Sequence, residues 1–354
     1  MRRYVAITAL MVAGLSLRVA GAEAQSAILN LPLVSQHARV TQRIGITDIT
    51  IDYHRPLVGG RKIFGGLQGY GDVWRTGANN NTVIEVSDPV TVEGQPLQRG
   101  VYGLHMIPGE SSWVIIFSRN STSWGSFTYD KAEDALRVTV KPQTIENHEA
   151  LTYELDPKPN AAVITMRWEK VAVPFTVEVD TPAIVEQSLR NQLRGRAQFE
   201  WSPWMEAANY LLDNRGSAEL ALQYADTSIA NEDRFESEIT KSRALRVLGR
   251  KDEAIAARDK AIGMGTQLQV QTFARGLQAQ GRQEEALDLF RANLKKDPNS
   301  WIGHNETARI AVSKGDFDLA IREMNLALRG SPDGLKAQHA DLLRRLKNHE
   351  DINK

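Results

Sequence analysis

The sequence predicts a multidomain protein with an all-β part, an antiparallel β-sandwich, followed by an all-α part, an α-solenoid of paired helices. Three observations predict this order. Apolar residues recur at every second position from Ala38 to Val179, they recur at helical spacing after Pro182, and alanines in the second part repeat at a nearly fixed interval. At 354 residues the chain also exceeds what one hydrophobic core usually supports, which favours more than one domain.

Residues 1–24 have the pattern of a signal peptide. The positively charged MRR precedes the apolar run YVAITALMVAGLSL, and AEA at 22–24 forms a small-x-small cleavage site ahead of Gln25. The run is too short for a comfortable membrane span of ~20 residues. We therefore expect cleavage after Ala24, and a mature protein that is periplasmic or secreted and has no membrane span.

The composition excludes several classes of function. Lys plus Arg and Asp plus Glu number 43 each, so no net charge would attract nucleic acid or an anionic membrane. The absence of cysteine excludes disulfides, thiol catalysis and thiolate metal sites. None of the 7 histidines forms an i,i+2 or i,i+4 pair, and we expect no metal and no cofactor.

The first part, residues 26–180, is expected to hold about ten short strands. Segments such as DITIDYH, TVIEV, VYGLHMI, WVIIFS and AVITMRW alternate apolar and polar residues. Turn signals separate the strands at Glu93-Gly94, Pro108-Gly109 and Asp156-Pro157. Many short strands without a long helical pattern between them indicate an antiparallel sandwich or barrel, with one face of each strand on the core.

The second part is expected to consist of a helical connector at 181–195 and a repeat region at 196–350. Four segments align on the alanines Ala221, Ala254, Ala286 and Ala320, and glycines five residues before the last three are expected in turns between paired helices. This pattern resembles the tetratricopeptide repeat, which has a period of ~34 residues and small residues where two helices cross closely. The segment LKAQHADLLRRL at 335–346 would be the capping helix.

Motifs in the first part resemble one bacterial family. GITDITIDYHRPLVGGRKIFGGL, YGDVWRTGANNNT, GVYGLHMIPG, WVIIFS, WGSFTYD and LRVTVKP occur in the order found in the exported domain-of-unknown-function family numbered 2911. The resemblance covers about residues 30–180. The family's signature elements fall here on Tyr53, Arg55, Pro56, Gly60, Arg61, Trp74, Arg75, Thr76, Gly77, Ala78, Asn79, Trp124, Gly125 and Tyr129. Asn80 replaces the acidic residue that is common at this position in the family. The resemblance implies export and supplies no established reaction.

The loop GDVWRTGANNNT at 71–82 is the candidate ligand site. Glycines between Gly59 and Gly71 can expose backbone N–H groups, which together with Arg61 and Arg75 would form a nest for a carboxylate or phosphate. Asparagine amides match sugar hydroxyls, and aromatic rings offer stacking faces; Trp124 lies in a polar loop where a core residue is not required. The candidate ligand-binding residues are Tyr53, Arg55, Arg61, Trp74, Arg75, Asn79, Trp124 and Tyr129.

A structural role is the first alternative for this loop. Phe64 and Trp74 would then hold it over one open end of the sandwich, and Arg75 would pair with Asp72 or Glu85. A P-loop is excluded because the loop has no Gly-Lys-Ser/Thr and no helix follows it.

An enzymatic role is the second alternative, and no catalytic residue is assigned. His54 and His105 are the only histidines on strands near the signature motifs, and a lone strand histidine is usually a satisfied polar residue. The acids Asp52, Asp72 and Glu85 are candidates by elimination for glycoside hydrolysis, which needs a carboxylate pair ~5–9 Å apart. The motif Gly-x-Ser-x-Gly is absent.

The sequence therefore favours an exported, non-enzymatic binding or scaffold protein. Its β part would present the Arg75 loop to a small polar or anionic ligand, and the helical repeats would recruit a protein or peptide partner. The alternatives are a cell-envelope hydrolase that acts on saccharide or peptide with the same loop as its active site, and a purely structural protein.

Overall fold

The computed structural model of the protein describes residues 32–354, so the predicted signal peptide lies outside the described residues. Antiparallel strands occupy the first part of the described chain and helices the second, which confirms the predicted order. The last strand ends at Glu178 and the first helix begins at Thr181. Asp180 caps this helix by accepting a hydrogen bond from the Ala183 N–H at 3.2 Å, and Pro182 occupies the first turn, where no backbone donor is needed.

Ten strands form two antiparallel sheets in the described residues. The six-stranded sheet has the order β1-β2-β3-β6-β7-β8, and the four-stranded sheet has the order β5-β4-β10-β9. The strands are β1 Gln36–Ile44, β2 Thr47–Arg55, β3 Thr82–Val86, β4 Val90–Val92, β5 Gln95–Leu97, β6 Gly100–Ile107, β7 Trp113–Ser118, β8 Asp134–Val140, β9 Gln143–Lys158 and β10 Ala161–Glu178. Strands β9 and β10 are longer than the short strands that the sequence predicted.

Side chains from both sheets form one hydrophobic cluster. At its centre the Phe64 ring contacts the Trp113 ring edge to face, with centroids 4.8 Å apart, and Trp74 stacks on Trp168 at 5.6 Å. Aromatic pairs of this kind add to the free energy gained by burying their area. The antiparallel sheets are thus confirmed, and their face-to-face stacking as a sandwich stays a prediction.

Ten α-helices follow in the described chain. They are α1 Thr181–Gln192, α2 Trp201–Asp213, α3 Ala218–Asn231, α4 Phe235–Val247, α5 Lys251–Met264, α6 Gln267–Ala279, α7 Gln283–Asn293, α8 Trp301–Ser313, α9 Phe317–Gly330 and α10 Asp333–Lys347. The pairs α2/α3, α4/α5, α6/α7 and α8/α9 pack together, and α2 contacts α4 as α6 contacts α8. Buried residues Phe235 on α4 and Val270 on α6 join the second and third pairs in one cluster. Each pair thus lies against the next, which confirms the tetratricopeptide-like region.

The residues that carry the repeat pattern have the environments that the period predicts. Ala221, Ala286 and Ala320 are fully buried and Ala254 nearly so, as close helix crossings require. The turn glycines Gly249, Gly281 and Gly315 each have φ +75°, a left-handed conformation that other residues adopt at a cost.

None of the helices described between residues 32 and 354 is long and apolar enough to cross a membrane.

Candidate functional site

Trp74 anchors the signature loop to the core. Its backbone N–H and C=O exchange hydrogen bonds of 2.8 Å with Met106 on β6, and its indole N–H donates to the Gly77 carbonyl at 3.3 Å. The ring is 4% exposed and stacks on Trp168. Trp74 therefore offers no stacking face to a ligand, and the predicted ligand role of this residue is corrected to an anchoring role because the core encloses its ring.

Two further candidates, Tyr53 and Arg55, hold the β part together. Tyr53 is buried, and its hydroxyl accepts a hydrogen bond from the Tyr153 N–H at 3.1 Å. Arg55 joins the two sheets by donating to the Leu151 carbonyl at 3.0 Å and to the Thr152 hydroxyl at 2.7 Å. The positions of Tyr53 and Arg55 are thus explained by contacts within the protein.

Tyr129 also has protein partners. Its hydroxyl donates to the Asp134 carboxylate at 2.9 Å and accepts a hydrogen bond from Arg137. Burial, followed by the hydrogen bond to Asp134, raises the pKa of Tyr129 above its usual value. This residue fastens the segment before β8, and its predicted contact with a ligand has no support from its surroundings.

The remaining candidates lie at or beside a cavity of about 400 Å³ next to the loop. This size lies within the ordinary range of small-molecule sites. We call it the Arg75 cavity. The residues that line it include Arg61, Gln68, Arg75, Gly77 and Ala78 from loops and Trp168 from β10.

Arg75 lies at the boundary between the cavity and the surface loop 119–130. No carboxylate of the described residues is within ion-pair distance of its guanidinium, so the predicted pairing with Asp72 or Glu85 is not formed; Glu85 lies 3.7 Å from Arg39 instead. The buried Nε of Arg75 has no hydrogen-bond partner in residues 32–354. Burial lowers the pKa of Arg75 from its usual value, but a guanidinium stays charged at neutral pH.

Two further donors border the same space. Arg61 lines the cavity while donating to the Val58 carbonyl at 2.9 Å and to the Leu57 carbonyl at 2.5 Å. Trp168 is a core residue, as the sequence predicted, yet it also lines the cavity, and within the described chain its indole N–H has no acceptor. Buried donors without acceptors are uncommon in proteins, and the solvent-inaccessible Trp168 indole N–H and Arg75 Nε are two of those in the described residues.

Trp124 flanks Arg75 on the side of the surface loop. Its ring is 62% exposed, and the guanidinium carbon of Arg75 lies 5.6 Å from the ring centroid, within the range of a cation–π contact. Phe127 is also exposed and stacks on Trp124 with centroids 5.8 Å apart. The two rings form an aromatic surface beside the cavity, which the polar sequence around Trp124 had indicated.

Backbone strain marks the loop between Trp74 and β3. Thr76 and Asn79 have positive φ values of 52° and 58°. This conformation costs the β-branched Thr76 of order 1–3 kcal/mol, whereas asparagine adopts it more readily. Two hydrogen bonds hold Thr76. Its hydroxyl donates to the Leu104 carbonyl at 3.0 Å, and the Thr76 carbonyl accepts a hydrogen bond from the Tyr153 hydroxyl at 3.2 Å. Asn79 donates to the Ser35 carbonyl at 3.2 Å, so its amide fixes the chain that borders the cavity.

A buried polar chain lies across strands β3 and β6. The Asn81 amide lies 3.4 Å from His105 Nε2, and His105 Nδ1 lies 2.9 Å from the Ser126 hydroxyl. With Asn81 donating to Nε2, the proton of His105 is on Nδ1 and donates to Ser126, which leaves the serine without a general base. Burial lowers the pKa of His105 to about 4, so the ring is neutral at pH 7.

None of the other catalytic candidates, Asp52, Asp72, Glu85 and His54, lines the Arg75 cavity. Asp52 accepts a hydrogen bond from His37 at 2.7 Å. His54 is buried, its Nδ1 has no hydrogen-bond partner in residues 32–354, and burial followed by the electrostatic interaction with His37 lowers its pKa. No acid and no histidine is among the described residues that line the Arg75 cavity. A hydrolase site in this cavity therefore lacks an acid–base group in its wall.

Residues 35–177 match the model of a family described as "Protein of unknown function (DUF2911)", which confirms the resemblance of the first part. No curated protein matches the chain.

Two solved structures are similar to the chain at low identity. One is described as "APC/C hetero-tetramer Cut9-Hcn1", with 19% identity over 45% of this chain and a TM-score of 0.30. The match spans 32% of that protein, about a third of its length. The other is YrrB, described as "a TPR protein with an unusual peptide-binding site", with 15% identity over 47% of this chain and 86% of YrrB, and a TM-score of 0.26. We draw no functional argument from these distant similarities.

Proposed function

We propose that the protein is an exported binding and scaffold protein. Its β part binds a small anionic molecule in the Arg75 cavity, and its helical repeats recruit a protein partner. The observation that carries the ligand part is the guanidinium of Arg75, which borders a cavity of about 400 Å³ and has no carboxylate partner in the described residues.

The donors around the cavity favour an anion over a neutral ligand. Arg61 and Arg75 contribute two positive charges to the lining. No acid in the described lining offsets these charges. Because a charge-assisted hydrogen bond is roughly twice as strong as a neutral one, a carboxylate or phosphate group satisfies this set best.

The scaffold part rests on the stacked helix pairs, in which α2 contacts α4 and α6 contacts α8, because stacked helix pairs of this kind offer a groove for a partner. The export part rests on the signal-peptide pattern of residues 1–24. Mass spectrometry of the mature chain from a periplasmic or secreted fraction checks this premise, with Gln25 expected as the first residue; retention of residues 1–24 would contradict it.

Isothermal titration calorimetry of the full mature chain with glucuronate, succinate, acetate and inorganic phosphate tests the ligand part. We expect at least one of these anions to bind, neutral glucose to bind more weakly, and Arg75→Met to weaken anion binding at least tenfold. The loss corresponds to about 1.4 kcal/mol or more of binding free energy.

Arg39→Met is the matched control, because Arg39 is an exposed arginine of β1 that does not line the cavity. Arg75→Lys separates charge from folding, since it keeps the positive charge and should retain part of the affinity. Equal anion affinity in wild type and Arg75→Met, or no binding of any of the four anions, would show that Arg75 serves only the structure.

A further inference from the structure

A second cavity, of about 230 Å³, lies in the helical part between α6, α8 and α10; α6 and α8 are the first helices of two successive pairs, and α10 is the helix that follows the last pair. We call it the first-helix cavity. Apolar atoms of Leu268, Leu335, Leu342 and Trp301 form part of its wall. Its polar wall is formed by Gln271, Arg275, Asn305, Arg309, Gln338 and His339.

The repeat period places these polar residues. Gln271, Asn305 and His339 occupy one repeat position, and Arg275 and Arg309 occupy another, one helical turn further along their helices. Residues four apart share a helix face, so α6 and α8 each present an amide and an arginine to the same surface, whereas α10 presents His339. Gln271 Nε2 donates to Asn305 Oδ1 at 3.3 Å and thereby links two neighbouring repeats.

Arg309 is almost fully buried in this wall without an acidic partner. Its Nε donates to Asn305 Oδ1 at 2.9 Å and its Nη1 donates to the Ile352 carbonyl at 2.7 Å, whereas its Nη2 makes no hydrogen bond to the described residues. Burial, and then the positive charges of Arg275 and Arg345, lower the pKa of Arg309 to about 9, and the acidic groups Asp351 and Glu306 offset this only in part. The group is still charged at neutral pH, and a buried charge without a directly ion-paired carboxylate is costly.

His339 supplies a second sign that a partner is missing. Its side chain is 4% exposed and its buried Nδ1 has no hydrogen-bond partner among residues 32–354, while its ring lies 5.4 Å from the Trp301 ring. Burial, followed by the charge of Arg309, lowers the pKa of His339, so the imidazole is neutral at pH 7 and can donate one hydrogen bond. The arginine donors of this cavity are complementary to a carboxylate.

We propose that the first-helix cavity binds an acidic side chain, Glu or Asp, of an extended partner segment whose neighbouring residues are apolar. The unpaired guanidinium of Arg309 and the nearby Arg275 would hold the carboxylate, and Leu268, Leu335 and Leu342 would contact the apolar neighbours. This proposal rests on the partner-recruiting role proposed above and names the chemistry of that partner.

An array of N-acetylated, C-amidated heptapeptides tests the proposal with the full mature chain. In each peptide one of the seven positions is replaced by each amino acid in turn, while the other positions keep apolar residues. The affinities of the peptides that bind best are then measured by fluorescence anisotropy. We expect Glu or Asp to be enriched at one position, Glu→Gln in the peptide to weaken binding at least tenfold, and affinity to fall as salt is raised.

Arg275→Glu is the test variant, since Arg275 is half-buried and its replacement spares the buried Arg309. We expect at least a tenfold loss of peptide affinity. Arg322→Glu on α9 is the matched control: Arg322 is an exposed arginine outside the cavity, and its replacement should leave affinity unchanged.

Three results would overturn the proposal. These are an array without acidic enrichment, equal loss of affinity in both charge-reversal variants, and a preference for peptides with a free C-terminal carboxylate over those with an acidic side chain. The Arg75→Met protein distinguishes the two sites, because its peptide affinity should equal that of wild type even if no anion binds in the β part.

Discussion

Both parts of the molecule hold an arginine beside a cavity without an acidic partner in the described residues, and they position it by different means. Arg75 belongs to a loop that Trp74 and Thr76 attach to β6 through backbone and side-chain hydrogen bonds. Arg309 lies on a helix, and its place in the wall follows from the repeat period. The first position therefore depends on contacts between distant segments, and the second on neighbouring repeats.

The hydrophobic cores differ in the same way. The β part has one cluster that joins both sheets, whereas the helical part has several smaller clusters, each formed by a few adjacent helices. In repeat proteins stability is approximately a sum of local terms, because each repeat contacts only its neighbours. Damage should consequently spread through the β part and remain local in the helical part.

Replacement of Trp74 by Ala should have the largest effect. It removes a 4% exposed indole from the single β cluster and the anchor of the Arg75 loop, and we expect a loss of about 3–5 kcal/mol in the free energy of unfolding. Urea unfolding followed by circular dichroism measures it. Trp124→Ala is the control, since its exposed ring should contribute within about 0.5 kcal/mol. An equal loss in both variants would contradict the anchoring role.

A buried acid provides the next test, in the helical part. Glu306 on α8 is fully buried; its Oε1 accepts a hydrogen bond from Asn293 at 2.6 Å, and its Oε2 has no partner in the described chain. Burial raises the pKa of Glu306 to about 8, which the hydrogen bond from Asn293 and the positive charge of Arg309 only partly offset. The folded carboxyl is therefore neutral at pH 7.

The pH dependence follows from the raised pKa. Between about pH 4.5 and pH 8 the unfolded chain releases the Glu306 proton and the folded chain retains it, so the free energy of unfolding falls as the pH rises. At ~1.4 kcal/mol per pKa unit, the wild type should lose roughly 3 kcal/mol of unfolding free energy between pH 5 and pH 8 through this group. Glu306→Gln should not show this loss. Thermal unfolding at the two pH values measures it, with the exposed Glu284→Gln as control. Parallel pH profiles of Glu306→Gln and wild type would contradict the assignment.

The two parts also differ in how far the sequence predicts them. The helical repeats were predicted from the spacing of Ala221, Ala254, Ala286 and Ala320. Helical spacing and repeat period can be read directly from the sequence, because both involve residues that are close together along the chain or at a fixed interval. The antiparallel strands and the anchoring alternative for Trp74 were likewise predicted from alternation and from the aromatic residue in its loop. The first-helix cavity was missed, although Arg275 and Arg309 lie 34 residues apart and a search for polar residues in the repeat register could have found them.

The composition of the Arg75 cavity was only partly predictable. Arg61 and Arg75 were selected from the loop sequence, whereas Tyr53 and Trp74 were assigned to the ligand but are buried. Strand alternation does not show which face of a strand is covered when loops fold over it. Trp168 lines the cavity from a strand more than 90 residues away, and no local pattern connects it to Arg75.

Two glycines provide the smallest and most local test. Gly281 has φ +75° in the turn between α6 and α7, with open space where a Cβ would lie, so Gly281→Ala costs only the left-handed backbone, about 1 kcal/mol. Gly276 is an exposed residue inside α6 with similar open space, and Gly276→Ala should stabilise by about 1 kcal/mol because alanine favours the helix. Hydrogen exchange should show that amide protection changes only in α6 and the neighbouring helices in both variants. Changes of the same sign, or protection altered throughout the β part, would show that the repeats are not locally stabilised and that the contrast between the two parts is wrong.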